Sequence, residues 1–277
     1  MRSFGAVVVC LALAGCQAKK SASLHIDASL EPLVPADTVA VAGADVDAIR
    51  GTPVYQRLVT RFAGEQMERV KAASKVLFCW DGKQGLLLSR GKFAKADVEI
   101  GPPFEYKGYR LFGDEHGGAF FLNDSTVVAG PTGALRSMID SKGGRGLPPA
   151  LADLLRTLPA SDQIYAALIG GLGGMSLPEN AMEALRSADR GVIGIDLGDG
   201  INAIARIDSK NERDAKFIHD MLRGMIGFAR LRAPENQPEL LKLYDAIEVT
   251  QQQTQTEVKA EIPAGQVDRL LSLLPKR

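Results

Sequence analysis

The chain has 277 residues, of which 45% are hydrophobic, 24% charged and 6% aromatic. This is ample apolar material for a globular core, and the 33 basic residues balanced by 33 acidic ones give no electrostatic case for a nucleic-acid partner. The low aromatic content also argues against a base-stacking surface. We therefore expect a globular protein that binds no nucleic acid.

The first sixteen residues form a pattern of their own. Arg2 precedes an apolar run over 7–13, and the order Leu13-Ala14-Gly15-Cys16 completes it. A cationic start, a short apolar stretch and a small-residue site are typical of an export signal, and the run is too short to span a bilayer. We predict a signal peptide over residues 1–15, cleaved before Cys16. The alternative is an ordinary secretory signal that happens to contain a cysteine.

The order Leu-Ala-Gly-Cys at 13–16 resembles the lipobox of bacterial lipoproteins. That resemblance implies that diacylglycerol is attached to the Cys16 sulfur, that cleavage precedes it and that the new amine is acylated. Two or three acyl chains hold a protein on a membrane durably, whereas one holds it only reversibly. Gln17, a residue other than aspartate, resembles the outer-membrane sorting position of enterobacterial lipoproteins. We expect a lipid anchor in the cell envelope, on the periplasmic side of the outer membrane.

Residues 16–31 are expected to be the lipidated cysteine followed by a flexible tether. The segment after Cys16 is small and polar, has no periodicity and includes His25, which we interpret as solvated. Some fifteen flexible residues have an r.m.s. span of about 20 Å. No later stretch reaches the roughly 18 uninterrupted apolar residues of a membrane span.

The three cysteines leave no pair for an internal disulfide. Cys10 is lost with the signal and Cys16 carries lipid, so only Cys79 remains. It lies in the apolar run 76–80, and we interpret it as a buried small hydrophobe. The alternative is a reactive or intermolecular thiol.

After the tether the order of predicted elements occurs twice, about 120 residues apart. A Pro-Ala-Asp motif at 35–37 precedes a predicted strand, and Pro-Ala-Ser-Asp at 159–162 precedes another. Each strand is followed by a helical pattern, a hairpin and a closing strand and helix. The first copy comprises 38–45, 52–74, 75–81 with 85–93, 119–128 and 132–141. The second comprises 163–170, 178–187, 191–197 with 201–208, 258–262 and 264–274.

This order predicts two related modules, 32–157 and 158–277, in an α+β fold with largely antiparallel sheets and flanking helices. The Pro-Ala-Asp opening, together with Gly91-Lys92-Phe93, resembles modules of uncharacterised bacterial envelope proteins. That resemblance implies the architecture and assigns no functional residue.

Three groups of residues could carry chemistry, and each has a simpler interpretation. The first group is Asp114-Glu115-His116-Gly117-Gly118, whose carboxylates and imidazole could bind a metal or act as acid and base, but which we interpret as a hairpin loop. The other histidine that could complete such a site, His219, lies on a separate predicted helix. The glycine run 170–174 lacks phosphate-loop residues and is interpreted as a connector. Asp196, Asp199 and Asp208 lack calcium-loop spacing and are interpreted as solvated turn residues.

Two segments have interaction potential. The helical pattern 211–232 places Phe217, Met221, Met225 and Phe228 on one stripe, which we interpret as core; the alternative is an adaptable groove for a lipid chain or partner peptide. Residues 249–262 read as a strand whose centre, 250–257, is polar at every position. We interpret it as a solvated sheet edge, with a docking face as the alternative.

The sequence contains none of the common hydrolase, zinc-protease or redox motifs, so we expect no enzyme activity, cofactor or metal. The expected role is that of a lipid-anchored envelope protein with a non-enzymatic interaction or structural function, whose partners are the membrane and other envelope proteins. The alternative is a carrier or chaperone for an apolar ligand or lipoprotein, which requires an unfilled apolar pocket of several hundred cubic ångströms. A third possibility, an enzyme of unrecognised class, requires convergent polar groups in one cleft, for example near His116.

Overall fold

The computed structural model describes residues 25–61, 72–94, 98, 101–170, 187–234 and 237–273. Their strands join into a single twelve-stranded sheet in which all pairs are antiparallel. The strands are β1 (Ala40–Asp45), β2 (Ala73–Trp80), β3 (Gly85–Gly91), β4 (Pro103–Tyr106), β5 (Tyr109–Gly113), β6 (Gly118–Asn123), β7 (Thr126–Gly130), β8 (Ile164–Ile169), β9 (Ala188–Asp196), β10 (Gly200–Ser209), β11 (Ile247–Gln252) and β12 (Gln255–Pro263).

Helices flank this sheet, so the predicted α+β class with antiparallel strands is confirmed. The described helices are α1 (Val46–Arg50), α2 (Pro53–Arg61), α3 (Thr132–Asp140), α4 (Pro149–Leu155), α5 (Glu212–Leu231), α6 (Pro238–Asp245) and α7 (Ala264–Leu273), and a short 3₁₀ turn spans Glu31–Leu33. The longest, α5, starts where predicted because the Asn211 side chain accepts a hydrogen bond from the Asp214 amide at 2.9 Å. The predicted helix over 178–187 lies almost wholly outside the described residues, as does the middle of the one over 52–74.

The strand order is β11-β12-β10-β9-β8-β1-β2-β3-β7-β6-β5-β4. β1 and β8 are adjacent and antiparallel at its centre, with Ala42 opposite Ala166. Outward from β1 the order is β2, β3, β7 and β6, and outward from β8 it is β9, β10, β12 and β11. β5 and β4 extend the first side only.

One prediction about the second side is wrong. Residues 249–262 form a hairpin rather than one strand, because Gln253 adopts a left-handed conformation, φ 52°, in a two-residue turn between β11 and β12. The polar residues at the centre of this segment therefore form the turn and the strand ends on either side of it. The expected sheet edge is confirmed, since β11 is the last strand of the order.

One face of the sheet carries the main hydrophobic core, and we call it the core face. Leu77, Leu88, Phe120 and Val128 on this face pack with helices α3 and α4. Ile26 and Leu30 belong to the same cluster, and Leu30 is only 1% exposed. The chain therefore departs from the flexible tether expected through residue 31, because two apolar side chains dock residues 25–31 onto the core.

The described residues cover only part of the opposite face, which we call the second face. At one end Val54 of α2 and Val267 of α7 pack with Ile262 and Leu197. Toward the β4 side Val98 packs on Phe112, Ala119 and Val127. Over β10–β12 lies α5, held by the buried Thr256 hydroxyl, which donates to the Ala215 carbonyl at 3.0 Å.

Candidate functional site

A continuous row of directly opposed residues crosses the second face, and none of them is polar. The pairing registers place one residue from each of the twelve strands in this row. In strand order from the β4 edge to the β11 edge they are Pro103, Phe112, Ala119, Ala129, Leu87, Phe78, Ala42, Ala166, Ile193, Ala205, Val258 and Val249.

The centre of this row is open. Phe112 and Ala119 are buried near one end, whereas Leu87, Phe78 and Ile193 are 41%, 37% and 45% exposed. Monomeric proteins seldom expose contiguous large apolar groups unless the surface binds something. We call the surface formed by Leu87, Phe78, Ala42, Ala166 and Ile193 the trough.

Helix α5 forms one wall beside the trough. Between them lies a cleft of about 370 Å³, which on the helix side is lined by Ile218, Met221 and Leu222. Sites that bind small molecules are typically clefts of this order of size with mostly apolar walls. Trp80 lines the same cleft, and its indole Nε1 is buried without a hydrogen-bond partner among the described residues.

Of the stripe predicted on α5, Met221 alone lines this cleft, and most of the stripe does not fill the core. Met221 is half-buried at the cleft, but Met225 and Phe228 are 51% and 55% exposed and Phe217 is also exposed. The core interpretation is therefore wrong for three of the four residues. The physical reason is that α5 meets the sheet through the neighbouring stripe, on which Ala215 and Ile218 are buried.

The Asp114–Gly118 segment is the hairpin loop that the sequence indicated. The Asp114 carboxylate accepts hydrogen bonds from the amides of His116 at 2.8 Å and Gly117 at 3.1 Å, and these bonds lower the pKa of that carboxyl. The side chains of Glu115 and His116 point into solvent, and His219 lies on α5. Within the described residues, no cluster of histidine, cysteine and acidic side chains could hold a metal ion.

The other candidates have structural explanations. The Asp196 carboxylate accepts from the Gly198 amide at 2.8 Å, and Asp208 pairs with Arg190 at 2.7 Å, so both serve local structure. Cys79 is 2% exposed, and burial raises the pKa of its thiol to about 12, as fits the interpretation as a buried small hydrophobe. Cys16 and residues 171–174 of the glycine run lie outside the described residues.

Sequence reasoning missed the trough residues, although a signal was present. β2 is apolar at every position from Val76 to Trp80, and β3 contains three consecutive leucines, 86–88. A strand with one wet face alternates apolar and polar residues, whereas an unbroken apolar run indicates that both faces avoid water. These runs therefore indicate a second apolar face, which the sequence analysis did not infer from them.

Comparisons with known proteins place the fold and leave the function open. No protein-family profile and no curated protein sequence matches the chain. Crystal form III of TP0453 resembles it with a TM-score of 0.53 and 11% identity, over 89% of this chain and 98% of that one. Crystal form I of TP0453 gives 0.50 and 12%, over 90% and 100%. At these identities the likeness shows a shared fold alone.

None of the described helices is long and apolar enough to cross a bilayer.

Proposed function

We propose that this chain is a lipid-anchored, non-enzymatic protein of the cell envelope that binds an apolar chain in the cleft between the trough and α5. Such a chain is the acyl group of a lipid or of another lipoprotein. The observation that carries the proposal is the uninterrupted apolar row whose centre is exposed beside a cleft of about 370 Å³. This volume meets the requirement for a carrier of an apolar ligand, which needs an unfilled apolar pocket of several hundred cubic ångströms.

The character of the walls supports an apolar ligand rather than a polar one. Among the described residues that line the cleft, Arg206 is the one with an ionisable side chain, and it is paired with Glu257 at 2.8 Å. Fully burying an apolar side chain gains about 1.5–3 kcal/mol. Phe78 and Ile193 are 37% and 45% exposed, so a ligand that covers them gains somewhat less than half of that for each. Met221 adds an adaptable thioether wall, which suits ligands of varying shape.

The lipid anchor at Cys16 rests on the lipobox resemblance at 13–16 and places the cleft near a membrane, the source of such chains. We assign the protein to the periplasmic side of the outer membrane because the residue after Cys16 is Gln17 rather than an aspartate. Cells fed radiolabelled palmitate are expected to label the wild-type chain, while Cys16→Ser abolishes labelling. Unchanged labelling of that variant would refute the anchor.

The two modules, 32–157 and 158–277, remain part of the proposal. Their support is the matching strand order on either side of the β1–β8 pair, with α3 after β7 and α7 after β12. The exposed part of the trough extends across both modules, since Leu87, Phe78 and Ala42 come from one and Ala166 and Ile193 from the other.

The binding experiment uses Trp80, the single tryptophan of the chain, as a reporter. Titration with palmitate below its micelle concentration is expected to change the Trp80 fluorescence saturably. Ala166→Phe fills the trough floor and is expected to weaken binding at least tenfold, whereas Ala150→Phe, at an exposed position of α4, leaves it unchanged. A flat titration of the wild type, or equal binding by both variants, would contradict the proposal.

A further inference from the structure

Two strands of the described sheet have only one neighbour, and they differ in how they meet solvent. β4 has four residues, begins with Pro103 and is followed directly by Lys107. Proline, lysine and short length are the devices that keep edge strands from pairing with other chains. β11 has six residues, no proline, lysine or arginine, and Glu248 as its single charge. The β11 edge is therefore the one open to pairing.

The backbone groups available at this edge follow from the hairpin geometry. The Glu261 amide donates to the Ala246 carbonyl at 3.4 Å, which fixes the phase of the ladder between β11 and β12. In an antiparallel pair, residues alternate between facing the partner strand and facing away. Glu248, Thr250 and Gln252 thus turn their backbone groups toward β12, while Ile247, Val249 and Gln251 turn theirs outward.

We propose that a second copy of this chain pairs antiparallel with β11 about a two-fold axis at Val249. In this register Val249 lies opposite Val249 of the second copy, so every outward-facing backbone group meets its counterpart. Ile247 lies opposite Gln251, and Glu248 lies opposite Thr250. No two like charges are opposed, so this self-complementary contact avoids the like-charge pairs that destabilise paired strands.

The same register continues the apolar row of the second face. Val249 is the last member of that row after Val258, and pairing brings the second copy's Val249 and Val258 next in line. At the other side of the sheet the comparable strand, β6, has its outer edge covered by β5 through the Phe120–Leu111 pair. The second copy supplies β11 with the neighbour that β6 has within its own chain.

Beside this contact, part of α5 is separated from β11 by a groove. It has a volume of about 600 Å³ and is lined by Ile226, Gly227, Tyr244 and Val249 among others. Arg230 on its rim is paired with Asp245, which offsets one positive charge near the axis.

Cysteine substitution tests the register directly. Two Val249 Cα atoms in a hydrogen-bonded antiparallel pair lie about 5.5 Å apart, within the range that a disulfide spans, whereas two Thr250 Cα atoms lie about 8 Å apart. The full-length chain carrying Val249→Cys, purified in detergent and mildly oxidised, is expected to form a covalent dimer on a non-reducing gel. Thr250→Cys, in the same detergent, is expected to remain monomeric. Equal cross-linking of the two variants would overturn the proposal.

Charge substitution tests the association itself by sedimentation. The wild type is expected at twice the mass of one chain. Val249→Lys opposes two lysines at the axis and should give monomers, while Thr250→Lys places its lysine opposite Glu248 and should stay dimeric. A monomeric wild type, or a dimer that survives Val249→Lys, would overturn the proposal. If Val249→Lys fails to fold by circular dichroism, the cysteine pair decides. Neither test depends on ligand binding in the cleft.

Discussion

Phe78 of β2 and Ile193 of β9 stand on the same face of the sheet with only Ala42 and Ala166 between them. At about 4.8 Å per strand, the two large side chains are about 14 Å apart across a floor of two methyl groups. Both are substantially exposed, at 37% and 45%. This part of the trough therefore has apolar walls and an apolar floor, which suits an extended hydrocarbon chain better than a compact polar ligand.

Replacing one large apolar side chain of the trough should weaken ligand binding without unfolding the protein. Ile193 is 45% exposed, so a ligand can bury about half of this side chain, which is worth about half of the 1.5–3 kcal/mol of full burial. Ile193→Ser should therefore lower palmitate affinity about three- to tenfold. Because Ile193 is partly exposed in the free protein, the free energy of unfolding should fall by only about 1 kcal/mol, and the variant should stay folded. Trp80 fluorescence measures the first quantity and urea denaturation the second.

Leu241→Ser is the matched control, since Leu241 is 38% exposed on α6 and does not line the cleft. It should leave palmitate affinity unchanged while lowering the free energy of unfolding by a similar amount, about 1 kcal/mol. If both variants bind palmitate equally well, the trough is not the binding site.

The sequence predicted the elements of this fold better than its surfaces. Local signals marked the β2–β3 and β9–β10 hairpins and helix α5, because turn residues and apolar periodicity are local in sequence. The open trough depends on registers between strands far apart in the chain, such as Ala42 opposite Ala166. Which stripe of α5 faces the sheet is likewise decided by a distant partner, Thr256. Periodicity alone ranked the stripe of Phe217 and Phe228 as core because it cannot show what the other elements leave uncovered.

Residues 25–31 should contribute to stability, although their composition is that of a tether. Leu30 is buried in the main cluster, so Leu30→Ala should lower the free energy of unfolding by about 2–5 kcal/mol. The control is Ala28→Ser, at an exposed position two residues earlier, which should cost about 0.5 kcal/mol or less. Urea denaturation distinguishes the two cases: a solvated tether would make both substitutions equally neutral.

The thiol of Cys79 should be inert in the folded protein. Its pKa is raised to about 12 by burial, so almost no thiolate exists at pH 8, and the side chain is shielded from reagents. In a Cys10→Ser, Cys16→Ser chain, Ellman's reagent should detect no thiol under native conditions and one thiol after unfolding in guanidinium. Adding Thr250→Cys supplies an exposed thiol as the positive control. Rapid native reaction without that addition would revive the reactive-thiol alternative.

Part of the free energy of unfolding should vary with pH in the acid range, because it depends on the ionisation of the Glu257 carboxyl. Hydrogen bonds from Lys259, and then from Arg206, lower the pKa of this carboxyl in the folded protein below its ordinary 4.5, against the opposing effect of burial. Arg206 in turn donates to the Thr157 carbonyl at 3.1 Å, so the pair ties β10 and β12 to the loop after α4.

Because the folded-state pKa is the lower one, the stabilisation is complete above the unfolded value of 4.5 and is lost as the pH falls through the folded value. Glu257→Gln should therefore cost about 1–2 kcal/mol at pH 7, and its difference from the wild type should shrink as the pH falls below about 4.5. Glu261→Gln, on the same strand and face but exposed, is the control and should change little at any pH. Urea denaturation at pH 7 and at several values below 4.5 measures this, and a difference that stays constant with pH would show that the ion pair does not hold Glu257 ionised.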